Sequence, residues 1–111
     1  MVRPKTVKFG KGFFENRAWE KAEHPRLVSK PVRIGKSEYV FEIGYHHPMK
    51  KYMVDVDITR NWGRGYPETY GQYYFFDSIS DAKQFVRGYL KRTKEMDLDE
   101  WLKKHGETKN H

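Results

Sequence analysis

The chain has 111 residues and a mass of 13.4 kDa, enough for one hydrophobic core but not for two independent ones. It contains no Cys, which excludes disulfides, cysteine metal ligands and thiol catalysis, and its apolar runs are far shorter than the roughly 20 residues that span a bilayer. The formal net charge of +7 indicates an acidic partner, and we expect a cytoplasmic protein that needs neither a membrane nor a cofactor.

The positive charge is concentrated at the start of the chain. Residues 1–36 contain ten Lys and Arg against three Glu, whereas residues 37–77 contain four basic and six acidic side chains. Residues 78–111 carry a small basic excess. The middle of the chain is therefore expected to form the packed body.

The first residues predict a basic arm. They lack a hydrophobic period and include Gly10 and Gly12, so we expect a flexible arm over 1–12 and a single domain over 13–111. Basic arms commonly contact phosphates, although a Lys-rich tail can also serve solubility alone. The candidate contacts in the arm are Lys5, Lys8 and Lys11.

The next elements are a short helix and an interrupted strand. The spacing of apolar residues favours a helix over Phe13–His24, which ends before Pro25 because a residue that precedes Pro disfavours the helical region. Residues 26–34 predict a strand that Pro31 interrupts, since Pro cannot donate to a strand ladder. A tight turn at Gly35 follows.

Two alternating segments predict antiparallel strands with one wet face. The first places Tyr39, Phe41, Ile43 and Tyr45 on one side. The second, after a turn at residues 47–50, places Tyr52, Val54, Val56 and Ile58 on one side. These eight side chains are the predicted core of the sheet.

The last third predicts a loop, a strand and a long amphipathic helix. Residues 61–71 hold three Gly and a Pro, typical of an exposed loop, and residues 72–77 form a ring-rich strand. Ser78 is the expected N-cap of the helix, with Asp81 three residues later. Residues from Asp97 or Asp99 onward predict a second short helix.

Together these elements predict an α+β fold. We expect an antiparallel meander of three or four strands, covered on one face by a C-terminal helix, with a second short C-terminal helix beside it.

A cationic stripe follows the main helix. Its members recur at helical spacing and are expected on the side of the helix opposite the apolar stripe, with few acidic neighbours. They are Lys83, Arg87, Lys91 and Lys94. We call these four residues the cationic stripe; phosphate binding and simple solvation of a charged helix face are both consistent with it.

The loop that precedes the third strand is a further candidate contact. Its side chains Trp62, Arg64 and Tyr66 alternate with Gly63 and Gly65. Rings and guanidinium planes stack on bases, and Gly lets a backbone approach a phosphate. The same residue types also form protein hot spots or close a small core.

Other chemistry has weaker support in the sequence. Asp55 and Asp57 share a strand face with Glu42 on the neighbouring strand, which suits either a magnesium-dependent nuclease or an ordinary solvated face. His46 and His47 point to opposite faces of a strand and are poorly placed to share a metal. No nucleotide-binding or nucleophile motif occurs.

The sequence thus favours a small, non-enzymatic nucleic-acid-binding protein that uses the arm, the cationic stripe and the Trp62 loop, on DNA or RNA. The alternative is an inhibitor or adaptor, of the kind that mobile elements encode, which docks on an acidic protein surface.

Overall fold

The computed structural model describes residues 12–17, 23–60 and 67–105, and within them it forms an α+β fold of six strands and one helix. The strands are β1 (Phe14–Asn16), β2 (Leu27–Ser29), β3 (Val32–Ile34), β4 (Ser37–His46), β5 (Lys51–Arg60) and β6 (Glu68–Phe76). The helix, α1, runs from Ile79 to His105. The predicted fold class is confirmed, with six strands in place of three or four.

The strands form a single antiparallel sheet in the order β1-β2-β4-β5-β6, and β3 also pairs with β4. β2 and β3 are two pieces separated by Lys30 and Pro31, as the predicted interruption requires. At this break the hydroxyl of Ser29 accepts the N–H of Phe41 at 2.8 Å. A buried side chain thereby replaces a missing backbone partner in the ladder.

Gly35 begins the turn between β3 and β4. Its φ of +60° lies in the left-handed region, which an L side chain rarely adopts. A Cβ there would also meet the carboxylate of Asp97 on α1. The turn thus contacts the end of the Asp97 side chain, and the positive φ is the feature that favours glycine here.

The core lies between one face of the sheet and α1. Phe41, Ile43, Val54 and Val56 are fully buried beneath Val86 of the helix. The alternation predicted for β4 and β5 is confirmed by their register, in which Phe41 pairs with Val56 and Ile43 with Val54. One face of the sheet is thus apolar and the other is available to solvent.

α1 begins as the sequence predicts. The N–H of Asp81 donates to the hydroxyl of Ser78 at 3.1 Å, which satisfies one of the free donors of the first turn. Further along, the ring of Tyr89 packs edge-on against Phe41, and its hydroxyl donates to Gln72 Oε1 at 3.1 Å. Burial raises the pKa of Tyr89 to about 12, so the hydroxyl remains a donor at neutral pH.

The helix predicted over Phe13–His24 is wrong where the structure describes it. Residues Phe14–Asn16 form β1, which pairs with β2. Backbone hydrogen bonds extend this pairing by one residue beyond each end of β1. The Lys30 N–H donates to the Phe13 carbonyl and the Arg17 N–H to the Arg26 carbonyl, each at 2.8 Å. A sheet edge supplies these partners, and it overrides a weak helical spacing. Residues 18–22 lie outside the described residues.

The second short helix is not a separate element. α1 continues to His105, because residues 91–105 contain no Gly or Pro and are rich in strong helix formers. Similarly, β6 begins at Glu68, earlier than the predicted strand at residue 72, and shortens the expected loop. The described helix is not apolar enough over its length to cross a membrane.

The two ends of α1 should contribute unequally to stability. Phe85 is half-buried, with its ring 4.5 Å from that of Tyr74 and 5.0 Å from that of Phe76, whereas Met96 is 65% exposed. We expect Phe85→Ala to lower the free energy of unfolding by about 3 kcal/mol, near the low end for a buried ring. Met96→Ala should change it by less than about 0.5 kcal/mol. Urea denaturation of both variants measures the difference, and equal losses would contradict the packing described.

Candidate functional site

The cationic stripe lies on one flank of α1. Lys83, Arg87 and Lys91 directly follow Ala82, Val86 and Leu90, the three residues that α1 buries against the sheet. Successive residues of a helix are about 100° apart, so the stripe flanks the buried face. The prediction that it lies opposite the buried face is wrong, because the sheet buries the residue directly before each of these three. Its first three members are half-buried and Lys94 is exposed.

The sequence around the stripe contains few acidic residues. From Lys83 to Lys94 the helix contains five basic residues and no acidic one. Among the described residues, Lys83, Lys91 and Lys94 form no salt bridge. Along the axis the stripe extends about 16 Å, at about 1.5 Å per residue. It is a row of cations that a polyanion can approach.

Six predicted contacts lie outside the described residues. They are Lys5, Lys8 and Lys11 in the expected arm and Trp62, Arg64 and Tyr66 in the expected loop. These assignments stay predictions. Next to the loop, Tyr70 of β6 is 38% exposed, and the guanidinium of Arg60 lies 5.5 Å from the centre of its ring.

The open face of the sheet, the face that α1 does not cover, is acidic. Glu42 pairs in register with Asp55, and Asp57 is two residues further along β5, which confirms that the three share a face. Glu42 forms a salt bridge with Arg26. Among the described salt bridges, none involves Asp55 or Asp57, which we call the acid pair.

The acid pair is electrostatically strained. Burial, the charge of Asp57, a hydrogen bond with Asp57 and the charge of Glu42 together raise the pKa of Asp55 to about 6. The Oδ1 atom of Asp55 is buried and meets no hydrogen-bond donor among the described residues. Within the described ranges, the two carboxylates thus form no salt bridge with a cation.

A metal centre has no support in the part of the chain that the structure describes. It contains no group of three or more His, Asp or Glu side chains placed to hold a metal ion. The carboxylate of Glu42, which the magnesium interpretation needs, is directed to Arg26.

The histidines pack against rings on both faces of the sheet. The ring centre of His46 lies 5.4 Å from that of Phe75 on the open face, whereas the ring centre of His47 lies 4.9 Å from that of Tyr45 on the other face. The prediction that the two histidines point to opposite faces is confirmed. His24 stacks on Tyr45 at 3.7 Å, and its Nδ1 atom is 3.0 Å from the hydroxyl of Tyr52. This stacked cluster, which closes one end of the core, was not predicted.

Exposed apolar side chains were also missed. On β6, Tyr73 is 60% and Phe75 36% exposed on the open face, and on α1 Leu98 is 54% and Leu102 46% exposed. Alternation along residues 72–76 could have separated Tyr73 and Phe75 from Tyr74 and Phe76, whose side chains pack on the core.

Three comparisons with known proteins gave no match: no protein-family model, no curated protein and no solved structure is similar to the chain. The surfaces themselves therefore carry the functional argument.

The pKa of Asp55 predicts a pH-dependent effect on stability. Its value in the folded state, about 6, exceeds the ordinary value of 3.8, so the folded state holds this proton more tightly. Below about pH 3.8, ionisation of Asp55 does not change the free energy of unfolding. As the pH rises to about 6 it lowers that free energy progressively, and above about pH 6 the loss is constant.

Asp55→Asn should therefore raise the melting temperature at pH 7.5 and leave it nearly unchanged at pH 3.5. The control is Asp99→Asn, the same substitution at an exposed residue of α1. It should not raise the melting temperature at pH 7.5 relative to pH 3.5. Thermal melts of the three proteins at both pH values measure it. An Asp55→Asn protein that is less stable at pH 7.5 would show that the carboxylate has a stabilising partner.

Proposed function

We propose that this protein binds nucleic acid without catalysis, and that the cationic stripe of α1 contacts the phosphates. The observation that carries the proposal is the segment from Lys83 to Lys94, with its five basic residues and no acid, on a regular helix. Each phosphate contact by Lys or Arg releases condensed counterions, which favours binding irrespective of base sequence.

The size of the stripe suits a phosphate backbone. Its length of about 16 Å corresponds to about five nucleotides of one strand of a duplex, at about 3.4 Å each. Lys83 and Lys91 are half-buried. A Lys side chain in such a position can pack its stem along the helix flank and keep its charged end in water. A rigid helix therefore presents the cations at fixed spacing.

The charges on the two sides of the sheet favour approach of a nucleic acid from the helix side. The open face carries Glu42 and the acid pair, which phosphates repel, and the cations of α1 lie on the other side of the sheet. A nucleic acid that approaches this protein is therefore directed to the helix. The arm residues Lys5, Lys8 and Lys11 and the loop residues Trp62, Arg64 and Tyr66 are proposed as additional contacts.

The test compares two triple substitutions of equal charge. The first changes Lys83, Arg87 and Lys91 to Gln, which retains good helix formers. The control changes Lys30, Lys36 and Lys103 to Gln; these are exposed and lie off the stripe. Binding to a 20-base-pair DNA and to a single-stranded RNA of 20 nucleotides is measured by fluorescence anisotropy at several salt concentrations.

We expect the stripe variant to lose affinity and to lower the slope of log K against log salt by about 0.7 to 0.9 for each contact removed. The control should lose less in both quantities. A wild-type protein that binds neither probe at low salt contradicts the proposed function, and equal effects of the two variants contradict the proposed surface.

A second candidate, docking on an acidic protein surface, uses the same cations. Leu98 and Leu102 favour it, because they extend the line of the stripe at spacings of four residues and are about half exposed. Leu98→Ser with Leu102→Ser distinguishes the two: it should leave nucleic-acid binding unchanged, while it should abolish capture of a protein from nuclease-treated lysate.

A further inference from the structure

One edge of the sheet has no partner among the described residues. β6 is the last strand in the sheet order and pairs with β5 on its inner side. Along the outer side of an edge strand, every second residue presents its N–H and C=O outward. Proteins usually protect such edges with Lys, Pro or short length, yet β6 is nine residues long and contains neither Lys nor Pro.

Exposed rings line this edge on the open face. Tyr73 and Phe75 pair in register with Asp55 and Met53 of β5, and their exposed fractions are 60% and 36%. A free ladder edge beside exposed side chains at every second position is the arrangement by which proteins bind extended peptides through strand addition. The backbone supplies affinity, and the side chains that alternate along the edge supply specificity.

Gly71 leaves a gap in the row of side chains. A Cβ at this position would lie 3.5 Å from Asp57 Oδ1, 3.6 Å from Asp55 Oδ1 and 3.4 Å from the hydroxyl of Tyr73. Two carboxylates and the hydroxyl of Tyr73 therefore border the gap. A residue opposite Gly71 on an added strand would have its Cβ about 5 Å away on the same face, within the reach of a Lys or Arg side chain to the carboxylate of Asp57, while Asp55 Oδ1 is itself buried.

Charge identifies the class of occupant. Burial, together with the neighbouring acids Asp57 and Glu42, raises the pKa of Asp55. The acid pair has no cation among the described residues. A second copy of the chain, paired β6 to β6, would not supply one, because Glu68–Phe76 contains no Lys or Arg. An added strand with a basic residue compensates the pair, while a second copy leaves it uncompensated.

We propose that the outer edge of β6 binds an extended segment of a protein partner by strand addition. An Arg or Lys of that segment lies opposite Gly71 and pairs with Asp55 and Asp57, and an apolar residue two positions along packs on Tyr73. This site is separate from the cationic stripe. Binding of the peptide segment is therefore expected whether or not the stripe binds nucleic acid.

The probe is a capped peptide of nine residues with Arg at its centre, Val at every second position from the Arg and Thr between. A matched peptide has Glu in place of the Arg. Affinity of the full chain for each peptide is measured by fluorescence anisotropy, and amide hydrogen exchange of residues 68–76 is measured with and without peptide.

We expect the Arg peptide to bind at least tenfold more tightly than the Glu peptide and to slow exchange in β6. The double variant Asp55→Asn, Asp57→Asn should reduce this preference to less than threefold. Asp99→Asn with Glu100→Gln, which removes two exposed acids of α1, should retain it.

Three outcomes would overturn the proposal. The first is equal affinity for the two peptides, the second is peptide binding without slower exchange in β6, and the third is exchange in β6 that slows with protein concentration alone, which would assign the edge to a second copy. The variants leave the buried core unchanged, so loss of folding does not account for a lost preference.

Discussion

The burial of one face of the β4–β5 hairpin beneath α1 is the interaction on which the other features of the fold depend. Phe41, Ile43, Val54 and Val56 are completely buried there, in a chain with few aliphatic residues to spare. The rings that surround them, such as Tyr89, complete the core because each buries a large area. Among the described residues, one helix covers one face of the sheet, and the polar composition of the other face agrees with its exposure.

The elements that could be predicted are those with strong local signals. The alternation of β4 and β5, the interruption at Pro31 and the cap at Ser78 each depend on residues close together in sequence, and the structure contains all three. β1 could not be predicted, because its three residues become a strand only through pairing with β2, more than ten residues away. A pairing of this kind is set by tertiary contacts, which override weak local spacing.

The candidate surfaces, like the fold, could be predicted from the sequence only where the signal is local. Helical spacing alone groups Lys83, Arg87, Lys91 and Lys94, and the structure places all four on α1. The position of the stripe around the helix depends on which residues the sheet buries, and this is tertiary information. The alternation of residues 72–76 separates Tyr73 and Phe75 from the two rings that pack on the core, but which of the two sets is exposed depends on which face of the sheet α1 covers.

The raised pKa of Asp55 in a chain of net charge +7 shows how local the electrostatics of this fold are. A uniform positive field would lower the pKa of a carboxyl group, yet burial and two neighbouring acids dominate at this position. The cationic stripe lies on the helix side of the sheet, whereas the acid pair lies on the open face. No described salt bridge joins the acid pair to a residue of the stripe. The counter-charges that we propose for these two surfaces, on opposite sides of the sheet, are phosphates at the helix and a basic side chain at the edge of β6.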